Sequence, residues 1–272
     1  MDGHLKALEI WFQKHRGVLV AFSGGVDSSL VAFLARRFLG RDCVLALISA
    51  SPSLKISDLE EAKDFAQAND IPLEIVMTRE IENPDYFNNP SNRCYFCKHT
   101  LYDHLSDWLE THKNWSVLNG TNADDLSDYR PGLQAAKEFE VHSPLADCGI
   151  GKEMVRRLAG HFSLACWDKP ASPCLASRVP YGQRVTREKL KQIERAENYL
   201  VANGFRVNRV RHYGTLARIE VPLADQEMLR SQEIELARKF VEFGFEHIEI
   251  DPEGFVSGKL NRVNSDGLTY KE

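Results

Sequence analysis

The sequence predicts an α/β fold built on a parallel sheet, followed by a smaller α+β domain. Three observations indicate this fold. Short apolar runs rich in β-branched residues alternate with segments of helical periodicity along the first part of the chain. A turn rich in glycine and serine, residues 23–29, separates the first apolar run from a helix. After residues 180–182, Pro-Tyr-Gly, the alternation gives way to a long helix and a hairpin pattern.

Each element of the sheet region follows from its own residue pattern. The N-terminal residues have the apolar spacing of an amphipathic helix, and the run GVLVAF suits a buried strand. Strands that alternate with helices predict parallel βαβ units with helices on both faces of the sheet. The predicted strands are residues 17–22, 43–49, 72–77 and 116–118, and the predicted helices are residues 30–39, 57–68 and 98–113.

The residues after Gly182 predict a separate and smaller domain. Thr186 is placed to cap a long helix to about residue 203, because a threonine oxygen can accept a hydrogen bond from the first helical turn. A hairpin at residues 206–212 and 216–221, a helix at 224–243 and a strand at 247–250 follow. We therefore expect domains at residues 1–182 and 183–272, the second of which completes the substrate site.

Composition and charge narrow the class of protein. Hydrophobic residues make up 43% and charged residues 27%, as in ordinary globular proteins, and the net charge of −5 argues against a nucleic-acid binder. The N-terminus lacks a signal-peptide pattern, and no apolar run reaches the roughly 18 residues that span a bilayer. We expect a cytoplasmic protein without membrane contact, whose six cysteines are available for metal binding or catalysis.

Residues 23–29, SGGVDSS, carry the strongest local signal of function. The glycines permit a tight turn whose N–H groups can face an anion, and the following helix N-terminus and the serine hydroxyls favour phosphate. The aspartate beside this anion site is explained if it holds Mg²⁺ that neutralises the pyrophosphate. The predicted ATP-binding residues of the loop are Ser23, Gly24, Gly25, Asp27, Ser28 and Ser29.

This heptapeptide lacks the GK[ST] ending of a Walker loop and resembles the signature of the PP-loop ATP pyrophosphatases. That superfamily includes GMP synthetase, NAD synthetase, argininosuccinate synthetase and tRNA-thiolating enzymes. The resemblance implies a Rossmann-like sheet of the adenine nucleotide alpha hydrolase type. It also implies cleavage of ATP between its α- and β-phosphates, with an adenylated substrate and pyrophosphate as products.

The cysteines add a second chemical signal. Cys94 and Cys97 form a CxxC at the start of a predicted helix, a position suited to metal binding or redox chemistry. The spacing alone leaves zinc, iron–sulfur and redox roles open, although no second CxxC completes a four-cysteine zinc site. Together with Cys174, three cysteines leave one iron of a 4Fe–4S cluster open for sulfide or substrate. We expect structural roles for Cys43, in a strand of the core, and for Cys148 and Cys166.

Taken together, SGGVDSS, RCYFC and CLASRVPYG resemble the LarE family of ATP-dependent sulfur transferases, which make the nickel-pincer cofactor of lactate racemase. Further family-like stretches extend the resemblance over nearly the whole chain. They are NGTN at 119–122, the aspartates at 124 and 125, DYRPG at 128–132, RVR at 209–211 and ARIE at 217–220.

The family resemblance implies adenylation of a carboxylate of a nicotinate mononucleotide dicarboxylate, followed by replacement of oxygen with sulfur. Some members give up the sulfur of one cysteine and retain dehydroalanine. Others hold a 4Fe–4S cluster on three cysteines that match Cys94, Cys97 and Cys174 here. We expect the cluster type, with sulfide or cysteine-derived sulfur as donor, while sacrifice of Cys174 stays open. The resemblance also suggests a homo-oligomer.

Residue type indicates roles for the other matched positions. An arginine fork suits phosphate, and Arg209 and Arg211 alternate along a strand, so they share one face. Gly120 and Thr121 follow the fourth strand, at the edge where α/β sheets bind ligands. The expected ATP site therefore also includes Gly120, Thr121, Asp128 and Arg130. The expected substrate site comprises Ser177, Arg178, Arg209, Arg211, Glu197 and Glu220. The expected catalytic residues are Asp27, Cys94, Cys97 and Cys174.

Three other functions compete with sulfur insertion into a small nucleotide-like substrate. A tRNA-thiolating enzyme would need a basic surface or an added RNA-binding module, and neither is visible. An amidating ligase of the NAD or GMP synthetase type would leave the three cysteines unexplained. A nucleotide sensor without turnover would release no pyrophosphate.

Overall fold

The computed structural model describes residues 1–127, 130–256 and 259, which form two compact units. The first comprises Met1–Glu80 and Asn92–Ser172, and the second comprises Ile81–Ser91 and Pro173–Glu272. None of the helices in these described ranges is both long enough and apolar enough to cross a bilayer.

The elements are numbered in chain order. The helices are α1 Asp2–Phe12, α2 Val26–Leu39, α3 Ile56–Ala68, α4 Pro84–Phe87, α5 Arg93–Thr111, α6 Gly132–Glu138, α7 Pro144–Asp147, α8 Lys152–His161, α9 Arg187–Ala202, α10 Gln226–Ser231 and α11 Glu233–Phe243. The strands are β1 Val18–Phe22, β2 Val44–Ser49, β3 Leu73–Val76, β4 Ser116–Leu118, β5 Arg209–Tyr213, β6 Leu216–Glu220 and β7 His247–Ile250.

The sheet of the first unit is parallel and has the strand order β3-β2-β1-β4. All five residues of β1 are buried, as expected for a central strand with helices on both faces. Val20 packs in a core formed with α1, α2, α3 and α8, whereas Leu19 packs in a second core with α5 and α6. The predicted α/β class and Rossmann-like parallel sheet are therefore confirmed.

The second unit contains a three-stranded sheet in the order β5-β6-β7. β5 and β6 form the predicted antiparallel hairpin, and β7 joins β6 in parallel. Val210 and Ile219 pack with Leu200 of α9 and Phe240 of α11 in one apolar core. Residues Arg209 and Arg211 alternate with Val210 along β5, so they lie on the opposite face of the sheet.

The two units divide after Ser172, ten residues before the predicted 182/183, and the earlier segment Ile81–Ser91 also belongs to the second unit. The Asn89 side chain donates to the carbonyls of Val179 and Pro180 at 3.2 and 2.7 Å. The amide of Gly182 donates in turn to the Asn89 carbonyl at 2.9 Å. These contacts join residues about ninety positions apart, so local sequence patterns could not indicate them.

Helix starts and breaks account for the other differences. α2 begins at Val26 and α5 at Arg93, so the phosphate loop (the loop between β1 and α2) is shorter than predicted and the CxxC lies within the first two turns of α5. The helix predicted at 224–243 is interrupted at Gln232, where the Ser231 hydroxyl bonds to the Met228 carbonyl at 2.7 Å. The prediction that Cys43 lies in a core strand is wrong, because Cys43 is half-buried and ends a 3₁₀ turn.

Candidate functional site

The loop between β1 and α2 is shaped by hydrogen bonds among its own residues. Gly24 has a φ of 69°, which a residue with a side chain adopts only with strain. The Ser28 hydroxyl accepts from the Ser23 amide at 3.1 Å and donates to the Gly25 carbonyl at 3.1 Å. The helix starts immediately afterwards, because the Ser29 amide bonds to the Gly25 carbonyl at 2.9 Å. The first-turn N–H groups of α2 are thus available to an anion.

The end of β4 approaches this loop closely at Gly120. A Cβ atom at Gly120 would lie 2.6 Å from the Ser28 nitrogen, so any side chain there would displace the loop. The Asn119 side chain holds this turn, accepting from the Thr121 amide at 3.0 Å and from the Ser143 hydroxyl at 2.9 Å. The predicted placement of Gly120 and Thr121 beside the phosphate loop therefore has a geometric basis.

The Asp27 carboxylate is held from two directions. Its Oδ1 accepts from the Asn122 side chain at 3.1 Å, and its Oδ2 pairs with the Lys152 ammonium group. The two ion-pair partners are partly exposed, with 37% of the Lys152 side chain and 21% of the Asp27 side chain accessible. The Asp27–Lys152 ion pair is therefore partly accessible to solvent.

Asn122 also organises the two aspartates that follow it. Its Oδ1 accepts from the Asp124 amide at 3.0 Å, and its own amide donates to Asp125 at 3.1 Å. Asp124 in turn accepts from the Lys152 amide at 2.7 Å, and Asp125 pairs with Arg130 at 2.6 Å. Arg130 is therefore linked to Asp27 through Asp125 and Asn122, and its contact with ATP stays a prediction; Asp128 lies outside the described residues.

The CxxC pair occupies the first two turns of α5 in the first unit. Cys94 is exposed and Cys97 is half-buried, and residues three apart lie on one side of a helix. Cys174 belongs to the second unit. Within the described ranges, no group of three or more His, Cys, Asp or Glu side chains is arranged to hold a metal ion.

In the second unit, Cys174 directly precedes a 3₁₀ turn that places Arg178 in the interior. The Arg178 guanidinium donates to both Glu197 oxygens at 2.8 and 3.1 Å. It also donates to the Pro173 carbonyl at 2.6 Å and to the Ser177 hydroxyl at 2.9 Å. Because Glu197 is fully buried, this ion pair fixes the chain on both sides of the cysteine.

A second buried ion pair continues the network. Arg211 donates to both Glu220 oxygens at 2.9 and 3.0 Å and to the Ser177 carbonyl at 2.8 Å. Glu197 additionally accepts from the Val210 amide at 3.1 Å, which joins the two pairs through β5. Glu197 and Glu220 therefore serve the arginines in this structure, and neither is a solvated surface charge.

Arg209 differs from its two neighbours. It is 5% exposed, its guanidinium stacks on the Phe255 ring at 4.6 Å, and it has no carboxylate partner among the residues that the structure describes. Burial, reinforced by the nearby positive charges of Arg178 and Arg211 and opposed by the Glu220 and Glu197 carboxylates, lowers the pKa of Arg209 to about 10. A buried cation in this state favours binding of an anionic group.

Lys152 was missed in the sequence analysis. Its only local signal is its place at the start of α8, where the positive end of the helix dipole disfavours a cation. A lysine at such a position is stabilised by a nearby negative group. That group is Asp27, which lies 125 residues earlier in the chain.

Some known proteins resemble part of the chain, and others resemble nearly all of it. A family model described as NAD synthase matches residues 9–86. An NH(3)-dependent NAD(+) synthetase from Thermococcus sibiricus is 28% identical over 52% of this chain and 61% of its own length. An uncharacterized protein of Synechocystis sp. is 46% identical over 97% of this chain and 98% of its own length.

The relative that decides the family is the pyridinium-3,5-bisthiocarboxylic acid mononucleotide synthase of Lactiplantibacillus plantarum. It is 34% identical over 90% of this chain and 88% of its own length. The chain belongs to the LarE family. As a LarE-family member of the PP-loop superfamily it is an ATP-using enzyme of the sulfur-transfer and adenylation type. The resemblance found in the sequence is thereby confirmed.

Proposed function

We propose that this LarE-family enzyme adenylates a carboxylate of a nicotinate mononucleotide-type precursor, releases pyrophosphate and replaces an oxygen with sulfur. The observation that carries the proposal is Arg209, a buried guanidinium without a carboxylate partner in the described chain, in the same unit as Cys174. A substrate with carboxylate and phosphate groups supplies the anion that this site favours. The relative from L. plantarum is named for a mononucleotide of this chemical class.

The phosphate loop supplies the first half of the reaction. Loop N–H groups and the hydroxyls of Ser23 and Ser28 bind the leaving pyrophosphate as a carboxylate oxygen attacks the α-phosphorus of ATP. Lys152 exchanges its contact with Asp27 for the phosphates, which frees the Asp27 carboxylate. Asp27 would then be the residue to hold Mg²⁺, which when bound would supply positive charge beside the leaving pyrophosphate.

Arginine residues of the second unit supply the substrate contacts. Arg209 binds an anionic group of the precursor. Ser177 and Arg178 lie in the 3₁₀ turn that directly follows Cys174. Arg211 and Arg178 are held rigidly by Glu220 and Glu197, so we assign the two glutamates a positioning role. A preorganised site of this kind orients the acyl-adenylate carbon without reordering charged side chains.

Cys174 is the proposed sulfur carrier. In the sacrificial route its sulfur attacks the acyl carbon and AMP leaves. Removal of the Cys174 α-proton then breaks the Cβ–Sγ bond, which leaves dehydroalanine and a thiocarboxylate. In the alternative route, Cys94, Cys97 and Cys174 would hold a 4Fe–4S cluster, which would supply sulfide. Two thiols on one side of α5 fit such a donor set, and the cluster remains our proposal for the sulfur source.

An anaerobic reaction with ATP, Mg²⁺ and the dicarboxylated mononucleotide tests this proposal. Intact-protein mass and product mass should be measured together, with and without iron–sulfur reconstitution. Thiolated product from reconstituted enzyme alone, with unchanged protein mass, supports the cluster route. Loss of the mass of one hydrogen sulfide from the protein supports sacrifice of Cys174. Absence of thiolated product in both samples rules out this substrate and makes tRNA the next one to assay.

A further inference from the structure

Glu80 is a buried carboxylate of the first unit that the proposed chemistry does not use. It is 2% exposed, and within the described residues neither of its oxygens has a hydrogen-bond partner. Asp125, a comparably buried carboxylate, accepts from the Asn122 amide and pairs with Arg130. A buried carboxyl group whose oxygens have no donors costs the folded chain stability, so a ligand that supplies donors to them stabilises it.

The position of Glu80 relates it to the phosphate loop. It lies four residues after the end of β3, whose parallel neighbours end at the same edge of the sheet. At that edge, the Ser49 hydroxyl at the end of β2 is hydrogen-bonded to Thr78, just after β3. β3 is two strands from β1, which corresponds to about 10 Å across the sheet. That span is comparable with the distance from the phosphates of a nucleotide to its nucleoside.

The other side of the loop is already occupied by charged groups. Asp27, Asn122 and Lys152 cluster toward β4, on the opposite side of β1 from β2 and β3. With its phosphates on the loop, ATP can place its nucleoside over the ends of β2 and β3 without displacing these groups. Ligands of open α/β sheets bind at this carboxyl edge.

We propose that Glu80 binds the ribose hydroxyl groups of ATP. Its two oxygens can accept from two vicinal hydroxyls, and acidic side chains at strand ends bind ribose hydroxyls in other nucleotide folds. Binding of ATP supplies hydrogen-bond donors to both Glu80 oxygens. The hydrogen bonds whose absence costs stability in the nucleotide-free protein are then formed with ATP and contribute to its affinity. This inference rests on the use of ATP in the proposed function and assigns a further contact to the same site.

Equilibrium binding of ATP, 2′-deoxyATP and 3′-deoxyATP to the full chain with Mg²⁺ tests the proposal. The unsubstituted protein should bind ATP about tenfold more tightly than either deoxynucleotide, as expected for hydrogen bonds to a charged group. Glu80→Ala should bind the three nucleotides with nearly equal affinity and bind ATP about tenfold more weakly. Glu74→Gln, an exposed change on β3, is the matched control and should preserve the discrimination.

A second variant, Glu80→Gln, keeps the shape of the side chain and replaces one of its two oxygens with an amide group. Its melting temperature without nucleotide should equal or exceed that of the unsubstituted protein, while its preference for ATP over the deoxynucleotides decreases. Unchanged discrimination in both Glu80 variants would overturn the proposal. Pyrophosphate release by the unsubstituted enzyme with the mononucleotide is scored separately. Failure of the ribose contact and failure of the proposed reaction are therefore distinguishable.

Discussion

The two charged regions of this molecule are built in opposite ways. In the first unit, Asp27 is neutralised by Lys152, and both side chains are partly exposed. In the second unit, Arg178 and Arg211 each form a bidentate ion pair with a glutamate, and all four side chains are at most 3% exposed. One region therefore holds its charges through contacts that can be exchanged, and the other holds them in a fixed arrangement.

This difference matches the two kinds of ligand that the regions are proposed to bind. In the proposed reaction ATP brings Mg²⁺ as its own cation, and Lys152 exchanges its contact with Asp27 for the phosphates. The substrate brings anions, and an arginine held among locked neighbours can receive them without rearrangement. Exposed ion pairs contribute about 0–1 kcal/mol, whereas loss of one partner of a buried pair costs about 3–5 kcal/mol. The following predictions test this comparison through stability.

The largest effect is expected from Glu220→Ala. This change leaves the Arg211 guanidinium buried without its partner, and it should lower the free energy of unfolding by about 3–5 kcal/mol. Glu249→Ala is the control on the same sheet, because Glu249 pairs with Arg218 but its side chain is 42% exposed. The control should change stability by less than about 1 kcal/mol. Similar losses in urea denaturation of the two variants would refute the distinction between locked and exchangeable pairs.

The second effect concerns His212, which faces the core of the second unit. Burial lowers the pKa of His212 to about 4. Its Nε2 contacts the Gln192 side-chain oxygen at 2.7 Å, and its Nδ1 has no hydrogen-bond partner in the described chain. The unfolded chain binds a proton near pH 6.5, so stability should fall by roughly 2–3 kcal/mol as the pH drops from about 6.5 to 4.

The variant His212→Gln should make that pH profile flatter, because it removes the group that gains a proton on unfolding. Chemical denaturation at pH 7 and pH 4.5 measures the difference for both proteins. An equally steep loss of stability in the variant would show that another group is responsible.

The smallest effect on stability is expected from Lys152→Met. Removing one partner of a partly exposed ion pair should change the free energy of unfolding by less than about 1 kcal/mol. Pyrophosphate release should nevertheless fall by about one to two orders of magnitude, because the phosphates lose a charged donor. A loss of stability comparable with that of Glu220→Ala would show that Asp27 and Lys152 form a structural pair.

Sequence patterns predicted the local features of the fold and of the site. The strands β1 to β4 are short apolar runs, and SGGVDSS is contiguous, so the sheet and its phosphate loop follow from neighbouring residues. Thr186 caps α9 as expected and accepts from the Lys189 amide at 3.2 Å. In these cases the interactions that determine structure are between residues close in sequence.

What escaped prediction depends on contacts between distant residues. The pairing of Lys152 with Asp27 and the joining of Ile81–Ser91 to the second unit have no local signature. Residues of the same type can also differ in how deeply they are buried, and this difference is not visible in the sequence. Glu197 and Glu249 are both glutamates of the second unit, yet one is fully buried against Arg178 and the other is partly exposed. The assignment of Arg209 to the substrate remains a prediction from residue type, now supported by its burial and by the lack of an ion pair with a carboxylate among the residues that the structure describes.

The most direct test asks whether adenylation and sulfur transfer depend on different residues. The Cys174→Ala variant should be incubated with ATP, Mg²⁺ and the dicarboxylated mononucleotide, and pyrophosphate and thiolated product should be measured in the same sample. Adenylation is assigned to the phosphate loop and sulfur transfer to Cys174. We therefore expect pyrophosphate release close to that of the unsubstituted enzyme in a single turnover, and no thiolated product. Thiolated product at the normal level from this variant would contradict the assignment.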